Sequence, residues 1–184
     1  MKFQIASPEA KLIAMHIKQS IRSTLIVFIF IAAAVLPLKA EQEPATLIRV
    51  IDGNVLKVEY KGKKESVRLI GINAPECKIN RKAKREAVGT RQDLLTITSM
   101  GIEAARYVKR QVRKGDTIML EFDVQVRDKY GRLLSYVYLQ DGRMLNEEIL
   151  RAGHAYIMTA APNVKHRDRF QKARSEARKS RRGL

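Results

Sequence analysis

Alternation of apolar and polar residues along the chain predicts a β-rich domain. On residues 55–60, Leu56, Val58 and Tyr60 fall on one face with charged residues between them. The pattern predicts strands at residues 46–51, 55–60, 65–72, 117–124 and 133–139. Glycine-containing turns separate the first three strands, and Pro75 ends the third because proline cannot donate to a β-ladder.

Other segments break the strand pattern. Helical spacing of apolar residues indicates helices at residues 100–113, 145–152 and 166–181, the first with a stripe of Ile102, Ala105, Val108 and Val112. Residues 78–93 are basic with few apolar positions, which predicts an exposed functional or mobile loop. The predicted order of three strands, a helix and two strands is the element order of a five-stranded OB-fold barrel. We therefore expect an α+β fold, mainly β, with about three packed helices.

The first forty residues carry a targeting pattern. Residues 24–38 form an apolar run of 15 residues, short of the roughly 20 that span a bilayer. Lys11, Lys18 and Arg22 precede this run, as in a secretory signal. Residues 1–40 are thus expected to be a signal peptide or an uncleaved signal anchor, followed by a linker at 41–45 and a domain at 46–182. The chain is expected to be exported, secreted or periplasmic, with a membrane contact only if the segment stays uncleaved.

Composition narrows the class of partner. The 184 residues include 36 Lys and Arg against 19 Asp and Glu, a formal charge of +17. Such a charge favours a polyanion, nucleic acid first and an anionic membrane second, and no obligate protein partner is evident. The single cysteine, Cys77, excludes an intrachain disulfide framework, a four-cysteine zinc site and an iron–sulfur cluster.

Three charged residues stand out from the strand pattern. Arg68 interrupts an apolar strand, Glu76 follows Pro75 beyond the end of that strand, and Arg132 opens the fifth strand after a turn. Guanidinium groups match phosphate oxygens, and a carboxylate can take a proton from water. These residues predict either a phosphate-binding site or, more simply, one ion pair between an arginine and Glu76, with Arg132 as an ordinary turn residue.

Two runs of sequence resemble one family. The run VIDGNVLKVEYKGKKESVRLIGINAPE, followed about fifty residues later by DKYGRLLSYVYLQDGRMLNEEILRAGHA, is similar to the staphylococcal (thermonuclease) nuclease family over residues 46–180. The resemblance implies an OB-fold barrel with packed helices and cleavage of phosphodiester bonds in DNA and RNA. It also implies calcium (Ca²⁺) as the cofactor, because the type enzyme of the family depends on it.

The resemblance also implies roles for particular residues. Arg68, Glu76 and Arg132 match the family's catalytic positions, with Glu76 orienting or deprotonating water and the arginines clamping the phosphate. The metal positions match Asp52, Asn54, Asn73 and Glu76. Two of these are amides where the family has carboxylates, and an amide oxygen brings no charge to a cation.

The remaining candidates concern nucleic-acid binding. Tyr130 in the Asp128–Arg132 turn is an expected stacking platform, beside Lys129. Basic residues expected to contact phosphates are Arg81, Lys82, Lys84 and Arg85, and those of the helix at 166–182. Two functions stay open: an exported nuclease of little sequence specificity, and a catalytically weakened OB-fold nucleic-acid-binding protein. An anchored surface protein that binds anionic polymers is the third and least favoured alternative.

Overall fold

The computed structural model of the protein describes residues 41–183. Its strands are β1 (Gln42–Asp52), β2 (Val55–Tyr60), β3 (Lys63–Leu69), β4 (Gly71–Asn73), β5 (Thr117–Glu121), β6 (Leu133–Tyr138) and β7 (Tyr156–Met158). Its helices in this range are α1 (Arg81–Thr90), α2 (Leu94–Gln111), α3 (Leu145–Arg151) and α4 (Arg167–Lys179). The predicted signal segment at residues 1–40 lies outside the described residues. Between residues 41 and 183, none of the helices has the length and apolarity required to cross a bilayer.

Five of the strands close into a barrel in the order β1-β2-β3-β6-β5. The first three form an antiparallel meander, β6 runs parallel to β3, and β5 pairs with both β6 and β1. β4 and β7 form a separate two-stranded ladder. The barrel confirms the predicted α+β, OB-type architecture.

The sequence predicts one strand over residues 65–72, but the structure interrupts this strand between β3 and β4. Gly71 has a φ of +77°, and a Cβ at this position would lie 2.3 Å from the ring of Phe170 on α4. A side chain is therefore disfavoured both by the backbone conformation and by the packing of α4. Asn146 covers the break, because its amide donates to the carbonyl of Ile70 and its oxygen accepts from the amide of Val137, both at 2.9 Å.

Two predicted boundaries at the barrel strands are wrong. The predicted linker at 41–45 is mostly strand, because β1 begins at Gln42 and pairs with β5, which buries Ala45. The predicted strand at 117–124 ends at Glu121, and Val124 is exposed. Closing the barrel requires a partner for β5, which the first residues of β1 provide.

The largest error of the sequence prediction concerns residues 78–93. They form no extended loop but the helix α1, whose N-terminus is capped by Asn80 through the amides of Lys82 and Ala83 at 2.8 and 2.9 Å. The described residues thus hold four helices rather than about three. α2 likewise begins at Leu94, capped by Asp93, and not at residue 100. Its buried face differs from the predicted stripe, since Ile102 is exposed.

The core fills the barrel and the space beneath the helices. Inward residues of the barrel strands, such as Leu56, Val67 and Leu120, are fully buried. Ala104 and Val108 of α2 and Phe170 of α4 pack against this core. α1 contributes a single buried residue, Ala83, although both carboxylate oxygens of Glu86 are also buried. Most of its other side chains are exposed to solvent.

Candidate active site

A cleft of about 500 Å³ brings the predicted catalytic residues together. It is lined by Ile51, Asp52, Asn54, Val55, Arg68, Asn73, Glu76, Lys82, Tyr130, Arg132 and Met158. The charged side chains come from separate parts of the chain: Arg68 from β3, Glu76 from the segment after β4, and Arg132 from the turn before β6. The fold therefore assembles residues that lie up to 64 positions apart.

Arg68 points out of the barrel because its strand alternates. Its neighbours Val67 and Leu69 face the core and are almost fully buried. Arg68 donates from Nη2 to Oδ1 of Asn73 at 3.3 Å and from Nη1 to the carbonyl of Leu69 at 3.5 Å. Burial lowers the pKa of its guanidinium to about 10, and the nearby charge of Arg132 adds to this. Arg68 remains cationic at neutral pH.

Arg132 is held by the turn that precedes it. Its Nε donates to Oδ2 of Asp128 at 2.7 Å, and its backbone amide donates to Oδ1 at 3.0 Å. Burial alone would raise the pKa of Asp128, but the hydrogen bonds from Arg132 and its charge hold that pKa below its usual range. The guanidinium is thereby oriented before any ligand enters.

Glu76 is fixed from two sides. On one side α2 packs directly against its backbone, since a Cβ on Gly101 would lie 2.4 Å from the Glu76 carbonyl. On the other side the N-terminus of α1 engages both carboxylate oxygens: Asn80 donates to Oε2 at 2.7 Å and Lys82 forms a salt bridge with Oε1. Burial raises the pKa of Glu76, but the hydrogen bonds from Lys82 and Asn80 outweigh it, so the pKa lies below its usual range. The carboxylate is ionised at neutral pH.

The predicted metal positions lie in the same cleft. Asp52 is 7% exposed and accepts from the amide of Gly53 at 2.7 Å. Burial raises the pKa of Asp52, and the charge of Glu76 contributes to the rise. Asn54 is 1% exposed, and its amide nitrogen has no hydrogen-bond partner among the described residues. The side-chain oxygen of Asn73 accepts from Arg68.

This donor set does not fit calcium. Calcium takes six to eight oxygen ligands and binds more tightly as ligand charge increases. Here only Asp52 and Glu76 carry charge, both oxygens of Glu76 are engaged by α1, and the oxygen of Asn73 is engaged by an arginine. Within residues 41–183 no three Asp, Glu, His or Cys side chains are grouped as a metal site would require.

The predicted nucleic-acid contacts are partly at the cleft and partly outside it. Tyr130 is 72% exposed at the rim, with Lys129 and Arg132 cations 5.2 and 5.4 Å from its ring centre. Lys82 lines the cleft. The other basic residues predicted on the 78–93 segment lie on exposed surface of α1: Arg81, Lys84 and Arg85. They flank the cleft rather than line it.

Three residues that position the site are absent from the sequence-based candidates. Asp128 orients Arg132, Asn80 both caps α1 and contacts Glu76, and Gly101 permits the close approach of α2. An asparagine before a run of good helix formers is a capping signal that could have identified Asn80. The role of Gly101 has no signal in the local sequence, because it depends on a contact 25 residues away along the chain.

Cys77 lies beside Asp52 but has no features of a nucleophile. Burial raises the pKa of its thiol, and the negative charge of Asp52 adds to the rise. A thiol of raised pKa carries little thiolate at neutral pH, and the thiolate is the reactive form.

Comparison with known proteins agrees with the fold and the cleft. Residues 66–184 match the family described as staphylococcal nuclease homologue. The chain is 31% identical over 145 residues to a thermonuclease of Staphylococcus hyicus, covering 79% of this chain and 77% of that protein. It is 33% identical over 131 residues to a thermonuclease of Staphylococcus intermedius, covering 71% and 69%. It is 37% identical over 135 residues to the endonuclease YncB of Bacillus subtilis, covering 72% of this chain but 57% of the relative.

The cleft and these relatives define the class as that of a nuclease, a hydrolase that acts on nucleic acid. The chain belongs to the staphylococcal nuclease family.

Proposed function

We propose that the protein hydrolyses phosphodiester bonds of DNA, RNA or both, with little sequence specificity. The observation that carries this proposal is the convergence of Arg68, Glu76 and Arg132 on one cleft. Two guanidinium groups around one ionised carboxylate supply both parts of a hydrolytic site. The guanidinium groups provide positive charge for the phosphate, and the carboxylate provides a base for water.

The reaction follows from the positions of these groups. A phosphate between Arg68 and Arg132 receives hydrogen bonds on its non-bridging oxygens, and the hydrogen bonds strengthen as negative charge builds in the transition state. Glu76 accepts a proton from the attacking water as the new oxygen–phosphorus bond forms. The opposite phosphorus–oxygen bond breaks, and the leaving oxygen takes up a proton.

Low sequence specificity is supported by the kind of side chain at the cleft. The charged side chains of the cleft can contact the sugar–phosphate backbone, which is the same for every nucleic-acid sequence. Tyr130 offers an exposed ring, and every base can stack on an aromatic face. The basic surfaces of α1 and α4 add contacts to further phosphates that depend on charge alone.

A second candidate function is favoured by two observations in the cleft. This chain has amides at Asn54 and Asn73, where the resemblance to the family implies carboxylates, and Lys82 forms a salt bridge with Glu76. These features suit an OB-fold nucleic-acid-binding protein that retains the cleft and has weak catalysis. The two functions differ in hydrolysis alone, so a cleavage assay separates them.

We also propose that the protein is exported. The apolar run at residues 24–38 behind a basic N-terminus supports a signal peptide or signal anchor. An exported nuclease would meet nucleic acids of any sequence outside the cell. Binding through charge, as proposed above, does not depend on sequence and would therefore act on all of them.

The test is incubation of the purified protein with end-labelled single-stranded DNA and RNA at alkaline pH, in chelator and in millimolar calcium. Shortened products that increase with time are expected for at least one substrate. Tight binding without any product under all ionic conditions would replace the nuclease with the binding protein.

A further inference from the structure

We propose that Lys82 is a resident cation of the active site, which supplies from the protein itself the positive charge that a metal ion would otherwise bring to the phosphate. This inference rests on the proposed nuclease function. It assigns Lys82 a catalytic role distinct from that of the exposed basic residues elsewhere on α1.

The position of Lys82 is determined by the start of α1. Asn80 caps the helix through the amides of Lys82 and Ala83, and the same Asn80 side chain donates to Glu76 at 2.7 Å. The cap therefore fixes the first turn of the helix relative to the carboxylate. Lys82 extends from this turn to Oε1 of Glu76.

Lys82 is also open to a ligand. Its side chain is 42% exposed, whereas that of Glu76 is 16% exposed, and both line the cleft with Arg68 and Arg132. An ammonium group has three donors, and the contact with Glu76 uses one of them. The other two are free to donate to a phosphate oxygen. Lys82 can therefore contact the base and the substrate together, as a bridging cation does.

The charged side chains that line the cleft, counted together with Asp128, balance without a metal ion. Two carboxylates, Asp52 and Glu76, face the cations of Arg68 and Lys82. Arg132 is neutralised by Asp128 through their salt bridge. Glu86 of α1 also interacts with the charge of Lys82, but burial raises the pKa of its carboxyl group. A divalent ion placed here would meet the cations of Arg68, Lys82 and Arg132 beside the carboxylates of Asp52, Glu76 and Asp128. Like charges at such short range oppose binding.

The two amides are consistent with the same arrangement. Asn73 gives its oxygen to Arg68, and the buried amide nitrogen of Asn54 has no partner in the described part of the chain. Carboxylates at these positions would leave the cleft with a negative excess that a cation must offset. With amides, Lys82 is enough to offset the charge of Glu76.

A competing role for the same contact is a block, in which Lys82 holds Glu76 away from water. The two roles predict opposite effects of removing the ammonium group. As a resident cation, Lys82 contributes to the transition state, so its loss slows cleavage. As a block, its loss speeds cleavage.

The experiment uses the full-length protein, with Lys82→Met, which keeps much of the side-chain length without charge, and Lys82→Arg, which keeps the charge. Lys114→Met, at an exposed position after α2, is the matched control. Single-turnover cleavage of single-stranded DNA is measured in chelator and in millimolar calcium, and calcium binding is measured separately by calorimetry.

The proposal expects the wild type to cleave in chelator at a rate within about tenfold of that in calcium. Lys82→Met should lower the chelator rate about 100-fold, as loss of one charge-stabilising donor typically does. Lys82→Arg should recover part of the loss, and Lys114→Met should match the wild type. Calcium should bind Lys82→Met at least tenfold more tightly than the wild type.

Other outcomes contradict the proposal. Unchanged or faster cleavage by Lys82→Met in chelator overturns it in favour of a spectator or a block, while the nuclease function stands. A wild type that cleaves only with calcium also overturns it. If no protein cleaves under any condition, the proposed function fails instead. The calorimetry then decides on its own, because equal calcium affinities of the wild type and Lys82→Met overturn the proposal.

Discussion

Arg132 and Asp128 form a two-point pair in the turn before β6: Nε and Nη2 of Arg132 both lie 2.7 Å from Oδ2 of Asp128. The other oxygen of Asp128 accepts from the backbone amides of Tyr130 and Arg132, at 2.9 and 3.0 Å. One carboxylate thus fixes the turn and the catalytic guanidinium together. The contacts with Asp128 use Nε and one donor of Nη2, so Nη1 and the second donor of Nη2 remain for a ligand in the cleft that Arg132 lines.

Asp128→Asn should reduce cleavage without removing binding. The neutral amide weakens the orientation of Arg132, and a misplaced catalytic group costs up to about 100-fold in rate. We expect a loss of about 10- to 100-fold in kcat with a smaller change in KM. Asp141→Asn is the matched control, because Asp141 pairs with Arg143 in the same manner at an exposed turn outside the cleft. Equal effects of the two substitutions would contradict a positioning role for Asp128.

The barrel could be predicted from the sequence because its signals are local. The alternation of Leu56, Val58 and Tyr60 and the turns around these residues depend only on residues that are close together in the sequence. The break at Gly71 could not be predicted in this way. It depends on Phe170, which approaches from 99 positions further along the chain.

The sequence pattern does not predict α1, because this segment lacks an apolar stripe. Only Ala83 is buried, so hydrophobic periodicity gave no signal. The intrinsic preferences of Lys, Arg, Ala and Glu all favour a helix, and Asn80 is a good cap. The sequence does indicate Arg68, Glu76 and Arg132, because these charged residues interrupt or follow apolar strands. The sequence pattern does not predict the contact between Glu76 and Lys82. This contact requires the first turn of α1, a helix that the pattern does not indicate.

Binding in chelator should fall steeply with salt. Each phosphate neutralised on a single strand contributes a log–log slope of about −0.7. Replacing the three flanking residues Arg81, Lys84 and Arg85 with Gln should therefore flatten the slope by about 2 units if each contacts one phosphate. The matched control replaces Lys109, Arg113 and Lys114, exposed residues around the far end of α2. Fluorescence anisotropy with labelled single-stranded DNA from dilute to physiological salt measures both slopes, and identical slopes would exclude α1 as a binding surface.

Restoring the two family carboxylates should create a calcium response. Asn54→Asp with Asn73→Asp places two further charges in a cleft where Asn54 is 1% exposed. Buried like charges without a counter-ion destabilise a fold, and a ligand that binds the native state restores stability. We expect the double variant to unfold at a lower temperature than the wild type in chelator and to gain stability in millimolar calcium. A calcium shift no larger than that of the wild type would show that these positions are not metal ligands here.

The pH dependence of stability should depend on Glu121, which does not line the cleft. Glu121 is 2% exposed and accepts from Tyr138, Lys165 and His166 at 2.7 to 2.9 Å. Burial raises its pKa, but the hydrogen bonds from these three residues outweigh it, so the pKa is lowered on folding. Its contribution is therefore complete above the unfolded pKa, near 4.3, and is lost as the pH falls through the folded value.

Glu121→Gln should accordingly cost about 1.5–3 kcal/mol at pH 7, the usual range for hydrogen bonds to a charged group. The difference from the wild type should shrink as the pH falls below about 4. Urea denaturation at pH 7 and at acid pH measures both values. A loss of equal size at the two pH values would mean that the carboxylate charge does not stabilise this contact.

The most direct test of the account is single-turnover cleavage of single-stranded nucleic acid by Glu76→Gln. The substitution keeps the shape of the side chain and removes the base. We expect a rate about 100- to 1000-fold below that of the wild type, with the fold and nucleic-acid binding retained. Arg132→Ala should show a comparable loss, whereas Glu59→Gln, at an exposed position on β2, should cleave at the wild-type rate. A Glu76→Gln variant as fast as the wild type would contradict the assignment of Glu76 as the base of a hydrolytic site.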